Sequence, residues 1–102
     1  MIFPIGSTML DALILSQLNQ GDVYGYALTQ QLKDVLETSE SSLYPVLRRL
    51  QKSDCLETYD VPYQGRLRRF YHITNQGKKM LEFYRAQWKE YKTCIGSFLE
   101  EK

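Results

Sequence analysis

One histidine, two cysteines, one tryptophan and three prolines are all that these 102 residues contain of those types. The scarcity excludes several functions. Cys55 and Cys94 stand 39 positions apart, too few and too distant for a disulfide scaffold or a four-ligand zinc site. Both read as ordinary, partly buried thiols. His72 has no Ser, Asp or Cys partner at catalytic or metal-ligand spacing, and the acids Asp54, Glu57 and Asp60 sit around a turn as solubilising charges. The expectation is a protein that is not an enzyme and carries no cofactor or metal. No apolar run approaches the ~20 residues of a membrane span, and the first residues lack the basic and small-residue pattern of a secretory leader. A cytoplasmic protein without a membrane partner follows as an expectation.

What is present is a segregation of charge. The formal net charge is only +1. Between Ser41 and Lys79, however, eight basic residues face three acids, a net of +5, leaving −4 on the rest of the chain. A basic segment of this kind suits an anionic polymer whatever the total.

Periodicity places these charges on elements. Thr8 and Asp11 read as a capping box for a first helix with Leu10, Leu13, Ile14 and Leu18 on one face, ended near Gly21. A second helix is expected from Tyr24 to Leu36, with Leu28, Leu32, Val35 and Leu36 inward. A third runs to Lys52, N-capped near Ser41, with Pro45 in its first turn and Leu43, Leu47 and Leu50 inward. Leu56–Val61 and Arg68–Ile73 read as two strands around a Pro62–Gly65 turn. In the second strand Tyr71 and Ile73 share one face, and Arg68, Phe70 and His72 the other. Thr74 caps a long final helix. Its apolar positions Leu81, Tyr84, Trp88, Tyr91, Ile95 and Phe98 step by three and four, a heptad seam about 27 Å long. Either the rest of the chain or a partner must cover such a stripe, and a second copy of the chain is the favoured reading.

Three short helices, a basic hairpin and a long helix follow the order of a winged helix-turn-helix. The fold class is therefore mainly α, with a two-stranded β-hairpin wing and a long C-terminal dimerisation helix. Residues 1–73 would form the DNA-binding domain, and residues 74–102 the dimerisation helix. On the third helix Tyr44, Arg48, Gln51 and Lys52 point outward, next to Arg49. Ser41 and Ser42 at its start suit a phosphate, and Arg48 suits guanine. In the wing, Gln64, Gly65, Arg66, Arg68 and Arg69 join a tight turn to three guanidinium groups, suited to phosphates or a narrow minor groove. A solvated helix face for Arg48 and Arg49, or hairpin ion pairs for the wing arginines, is the plainer reading of each patch taken alone.

Three stretches together resemble the PadR family of transcriptional regulators: Gly21-Asp22-Val23-Tyr24-Gly25-Tyr26, Leu43-Tyr44-Pro45-Val46-Leu47-Arg48-Arg49-Leu50, and Gly65-Arg66-Leu67-Arg68-Arg69-Phe70-Tyr71. Thr74 and Gly77 follow at the family's spacing. Ser41, Ser42, Asp54 and Leu67 stand where Gly, Thr, Gly and Pro are usual. The resemblance implies a homodimeric repressor on a palindromic operator, released by a ligand. It also implies DNA contacts at Tyr24, Tyr26, Ser42, Tyr44, Pro45, Arg48, Gly65, Arg66 and Arg69. Ile2 and Phe3 would join the helix seam in the dimer. Some members of the family face a Trp at the position of Trp88 towards its dimer mate around a flat hydrophobic site. Trp88, flanked by Tyr84 and Tyr91, is thus a candidate pocket for an aromatic or cationic small-molecule effector, although a packed interface anchor is the favoured reading. The competing reading is a winged-helix ligand-sensing or protein-interaction module without sequence-specific DNA binding.

Overall fold

The computed structural model describes residues 7–33 and 40–100, with the side chains of 7, 8 and 40–42 left aside. In chain order the elements are α1 (Ser7–Gln20), β1 (Val23–Tyr24), α2 (Gly25–Leu32), α3 (Glu40–Lys52), β2 (Leu56–Tyr63), β3 (Arg66–Ile73) and α4 (Asn75–Leu99). The architecture is the expected mainly helical winged helix, with α2 and α3 as the helix pair and β2–β3 as the wing.

The core is built from one stripe of each element. Ile14, Leu15 and Leu18 of α1, Leu28 and Leu32 of α2, and Leu43, Leu47 and Leu50 of α3 are buried together. Cys55 closes the cluster from the loop before β2, Leu56, Tyr71 and Ile73 close it from the sheet, and Leu81 closes it from α4. The period of α3 is as expected, because its leucines recur at four and three residues and every buried position of the described part is one of them. The face of α1 is rotated from the expected one. Leu10 and Leu13 are half-buried, and the fully buried row is Asp11, Ile14, Leu15 and Leu18. Asp11 is therefore no part of a capping box. The helix already spans Thr8, and the carboxylate of Asp11 points inward to Arg49. Pro45 lies in the second turn of α3, not the first, since the helix includes Glu40. Its ring nitrogen offers no hydrogen to the Ser41 carbonyl. Val35 and Leu36, assigned to the second helix, lie outside the described residues.

The sheet has three strands in the order β1–β3–β2, all antiparallel. The third strand was not expected: Val23 and Tyr24 pair with Tyr71 and Phe70, and α2 starts only at Gly25. A two-residue strand has no periodicity of its own to read. The hairpin is longer, and its turn tighter, than the sequence suggested. Tyr63 pairs with Arg66, so Gln64 and Gly65 alone make the turn, both with positive φ (50° and 81°). That is the primed two-residue turn that follows strand twist, and Gly65 takes its left-handed conformation without a Cβ penalty. Pro62 is tolerated because β2 is an edge strand. Asp54 adopts φ 64° between α3 and β2, a conformation its short polar side chain accepts.

α4 begins as expected at Thr74, whose hydroxyl accepts the Gly77 amide at 3.0 Å. Only the first part of α4 meets the core. Leu81 is 2% exposed, whereas Phe98 is 77% exposed. Cys55 is buried but Cys94, on the far part of α4, is exposed, so the two thiols do not share the intermediate setting expected of them. Among the described residues no helix is long and apolar enough to cross a membrane.

Candidate nucleic-acid interface

The outward face of α3 carries Tyr44, Pro45, Arg48, Arg49, Gln51 and Lys52, all exposed because the leucine stripe takes the opposite side. The side chains of Ser41 and Ser42, like Ile2 and Phe3 altogether, lie outside the described residues. Tyr44 lines an open cleft with Tyr24 and Gly25 and with Asp60, Leu67, Arg68, Arg69 and Tyr71 of the wing. The cleft joins α3, the N-terminus of α2 and the hairpin on one concave surface. Tyr24, Tyr44, Arg68 and Arg69 are thus brought together from the candidate set. Tyr26, Arg48, Lys52, Gln64, Gly65 and Arg66 are exposed outside that lining.

The wing arginines alternate. Arg69 shares the inner face with buried Tyr71 and Ile73, and it makes a loose 3.7 Å ion pair with the cross-strand Asp60. Pairing of this length between two exposed groups holds weakly and leaves the guanidinium available. Arg68 shares the outer face with Phe70 and His72. Its guanidinium is sandwiched between the Tyr24 ring (4.2 Å to the centroid) and the Tyr63 ring (3.8 Å). Stacking on both faces leaves only its N–H edge for an acceptor. The sandwich ties the wing tip to β1, and Phe70 extends it by packing edge-on against Tyr24 and parallel to Tyr59.

Arg49 has a partner within its own chain. Its Nη1 and Nη2 donate to Asp11 Oδ2 and Oδ1 at 2.8 and 2.7 Å, a bidentate pair with a carboxylate that is nearly all buried. The hydrogen bonds to Asp11 hold the Arg49 guanidinium pKa above its usual value. That pair occupies one edge of the guanidinium, while the half-exposed side chain keeps its remaining N–H donors. The sequence carried the signal: Asp11 is a carboxylate within the i, i+3, i+4, i+7 apolar row of α1, and such a group needs a cationic partner.

A second cluster also escaped the sequence reading. Asp22, in the turn before β1, accepts from the Tyr59 hydroxyl at 2.7 Å and lies 2.8 Å from His72 Nδ1. Glu57 stands 3.8 Å from His72 Nε2. The Tyr59 hydrogen bond first, and His72 next, hold the Asp22 carboxyl below its usual range, and the same bond raises the Tyr59 phenol. The cluster clips the α1–β1 turn to both wing strands.

The α4 seam divides in two. Leu81 is buried in its own chain's core, and Tyr84 packs against that core with its hydroxyl 3.4 Å from Asp11 Oδ2. Leu81 is therefore taken up by the core of its own chain. Trp88, Tyr91 and Phe98 are exposed, with Ile95 half-exposed between them. The Trp88 and Tyr91 rings lie 6.2 Å apart at 40°.

This arrangement of reading helix, wing and long helix has clear relatives. The sequence profile of the transcriptional regulator PadR-like family matches residues 14–83. The chain belongs to the PadR-like family. A protein of Streptococcus mutans of known structure superposes with a TM-score of 0.89 at 36% identity, over 97% of this chain and 93% of that one. A PadR-like transcriptional regulator of Bacillus cereus gives 0.82 at 34% identity, over 92% and 94%. A PadR family transcription regulator of Clostridium difficile gives 0.81 at 30% identity, over 92% and 99%. An uncharacterised protein of Lysinibacillus sphaericus is 36% identical over 97 residues, 89% of this chain and 88% of its own. Membership in the PadR-like family makes the chain a transcriptional regulator, and its α3 and wing are the parts to weigh as DNA-reading elements.

Proposed function

We propose that this PadR-like regulator is a cytoplasmic homodimeric repressor that reads a palindromic operator, and that an aromatic small molecule at the α4 seam releases it. The observation that carries the DNA-reading role is the shared cleft. Tyr44 of α3 and Arg68 and Arg69 of the wing line one concave surface, within the basic half of the chain. Arg48, together with Ser41, Ser42, Tyr44, Pro45 and Lys52, would enter the major groove. Gln64, Gly65, Arg66 and Arg69 would follow the backbone or minor groove, with Arg68 edge-on, Tyr24 supporting from β1 and Tyr26 from α2. Residues 1–73 act as the reading head in this scheme, and the far part of α4, with Ile2 and Phe3 alongside, as the dimer seam. The two heads would then meet half-sites about 34 Å apart or a multiple of that.

The effector role is supported by Trp88 and Tyr91, aromatic and unburied on the same helix. The test of the DNA role is selection of bound duplexes from a random library at about 0.15 M salt, a stringency at which non-specific phosphate contacts are weakened. Enrichment of a two-fold symmetric sequence is expected; enrichment of none overturns the reading in favour of an interaction module. Trp88 is the single tryptophan, so its fluorescence reports effector binding directly. A panel of planar aromatic compounds that never changes it overturns the pocket.

A further inference from the structure

We infer that Asp11 is a positioning residue that sets the orientation of the reading helix α3 relative to α4. The inference rests on the DNA-reading role proposed above and deepens it.

α3 packs on α1, α2 and β2, while α4 packs on α1 and β3. The element common to both helices is α1. Apart from the joint where Thr74 and Gly77 meet Asp54 and Cys55 at the end of α3, contact between the two helices runs through α1 or around through the sheet. On α1, Asp11 meets both sides at once. Its two carboxylate oxygens take the Arg49 fork from α3, and Oδ2 also lies 3.4 Å from the Tyr84 hydroxyl of α4.

Asp11 is 4% exposed, so its charge has little water to fall back on. A buried carboxylate with a bidentate guanidinium is a directional contact, because both N–H···O bonds fail when the helix rotates about its axis. Leucine packing is non-directional and tolerates such a rotation much better. A rotation of α3 would move Tyr44 and Arg48 away from the wing arginines they must work with. Asp11 is buried while its partner Arg49 stays half exposed, so the pair anchors a surface side chain of α3 to a fixed point inside the fold.

Tyr84 is one helical turn before Trp88 on the same face of α4. A change at the exposed aromatic face of α4 therefore lies one turn from a group that touches Asp11, which in turn holds α3.

The experiment compares binding to the operator selected by the wild-type chain with binding to a scrambled duplex of the same length, across a salt series. Melting curves establish that each variant is folded at the assay temperature. Asp11→Asn and Arg49→Lys are expected to lower the operator-to-scramble ratio about tenfold, as expected for losing one charge-assisted pair. Arg49→Gln is expected to do the same while leaving the slope of log affinity against log salt on the scrambled duplex at its wild-type value. A slope reduced by about 0.9 identifies Arg49 as a phosphate contact and overturns the inference. An unchanged ratio in all three variants overturns it too. Should Asp11→Asn fail to fold, Arg49→Lys keeps the charge, loses the fork and decides the question. Tyr84→Phe combined with Asp11→Asn tests the α4 side: a ratio no lower than that of Asp11→Asn alone supports the link through Asp11. Multiplying losses show that α4 acts by another route and overturn it. A wild-type chain that selects no sequence removes the DNA-reading role itself. A wild type that discriminates, with variants that discriminate equally, removes only the role of Asp11.

Discussion

At Arg49 and Arg66 the same side chain meets opposite surroundings. Arg49 fills its fork with the Asp11 carboxylate, whereas Arg66 stands exposed next to the Gln64–Gly65 turn. The difference predicts different variants. Arg66→Ala should weaken binding to every duplex and lower the log–log salt slope by about 0.9, the signature of one lost phosphate contact. Arg48→Ala should also relax preference at one base pair by about 1–3 kcal/mol. Titrations over a salt series and a panel of single-base operator changes measure both, and identical losses for the two variants would refute the division. The exposed arginines were legible in the sequence because a charge on a polar helix face needs no partner to be placed. Arg49 was not, since its partner lies 38 positions away on a helix whose buried row is turned from the expected one. Asp22 gives a pH dependence with a definite sign. Its carboxyl is held below the usual range by Tyr59 and His72. The stability it contributes is therefore present above the unfolded carboxyl value of about 3.9 and is lost as pH falls through the lower folded value. Below about pH 4 the wild type should lose stability more steeply than Asp22→Asn in urea melts at stepped pH. Parallel curves would count against the clip.

Among the elements, the junction of α3, β2 and α4 is the tightest. A Cβ on Gly77 would strike the Cys55 carbonyl oxygen and come within 2.7 Å of Ile73 Cγ1. Neither neighbour yields cheaply, as one is backbone and the other belongs to the core cluster. Gly77→Ala should cost about 1–3 kcal/mol by overpacking, although alanine is the better helix former. Thr74 holds the same joint. Its hydroxyl accepts from the Gly77 amide and donates to the Asp54 carbonyl at 2.5 Å, and its own amide donates to the Cys55 carbonyl. Thr74→Ala should cost about 1 kcal/mol as a lost cap. Thermal melts should register each kcal/mol as roughly 4–8 °C in a domain of this size. A neutral Gly77→Ala would mean that α4 shifts freely against β2. Elements of this kind were legible where a long period or a capping residue announced them, as for α3 and α4. β1 was hidden because two residues carry no period, and its place is fixed by the pairing of Val23 and Tyr24 with Tyr71 and Phe70. The hairpin ends were set by the primed turn at Gln64 and Gly65, which let the strands run further than the Pro62 signal implied.

For the whole molecule, the division of α4 decides how two reading heads could be joined. The heptad row was legible along its full length, but its two halves do different work. Leu81 and Tyr84 complete the core of their own chain, so a period alone overstates the free seam. From Trp88 to Leu99 the helix presents Trp88, Tyr91, Phe98 and Leu99 to solvent, over roughly 17 Å at 1.5 Å per residue. Aromatic rows of this kind are rare on monomers and suit a two-fold contact with the same helix of a second copy. The charge split adds to this: a net of +5 lies between Ser41 and Lys79, so the rest of the chain, at −4, discourages indiscriminate adhesion to DNA. In the proposed dimer, affinity would come from two heads bound at once. The second head acts at an effective concentration set by the seam, which raises avidity by about 10²–10⁴ without a new contact. Phe98→Glu and Trp88→Glu place charge on the exposed row, away from the core. Each should leave the helical circular dichroism signal and the core's melting unchanged, convert the dimer to monomer in sedimentation equilibrium, and cut operator affinity by a factor in that range. Binding to a single half-site duplex should barely change. A variant that stays dimeric and binds the full operator like the wild type would move the seam elsewhere. A variant that turns monomeric yet keeps full affinity would show that one head suffices, and the spacing of half-sites would lose its meaning.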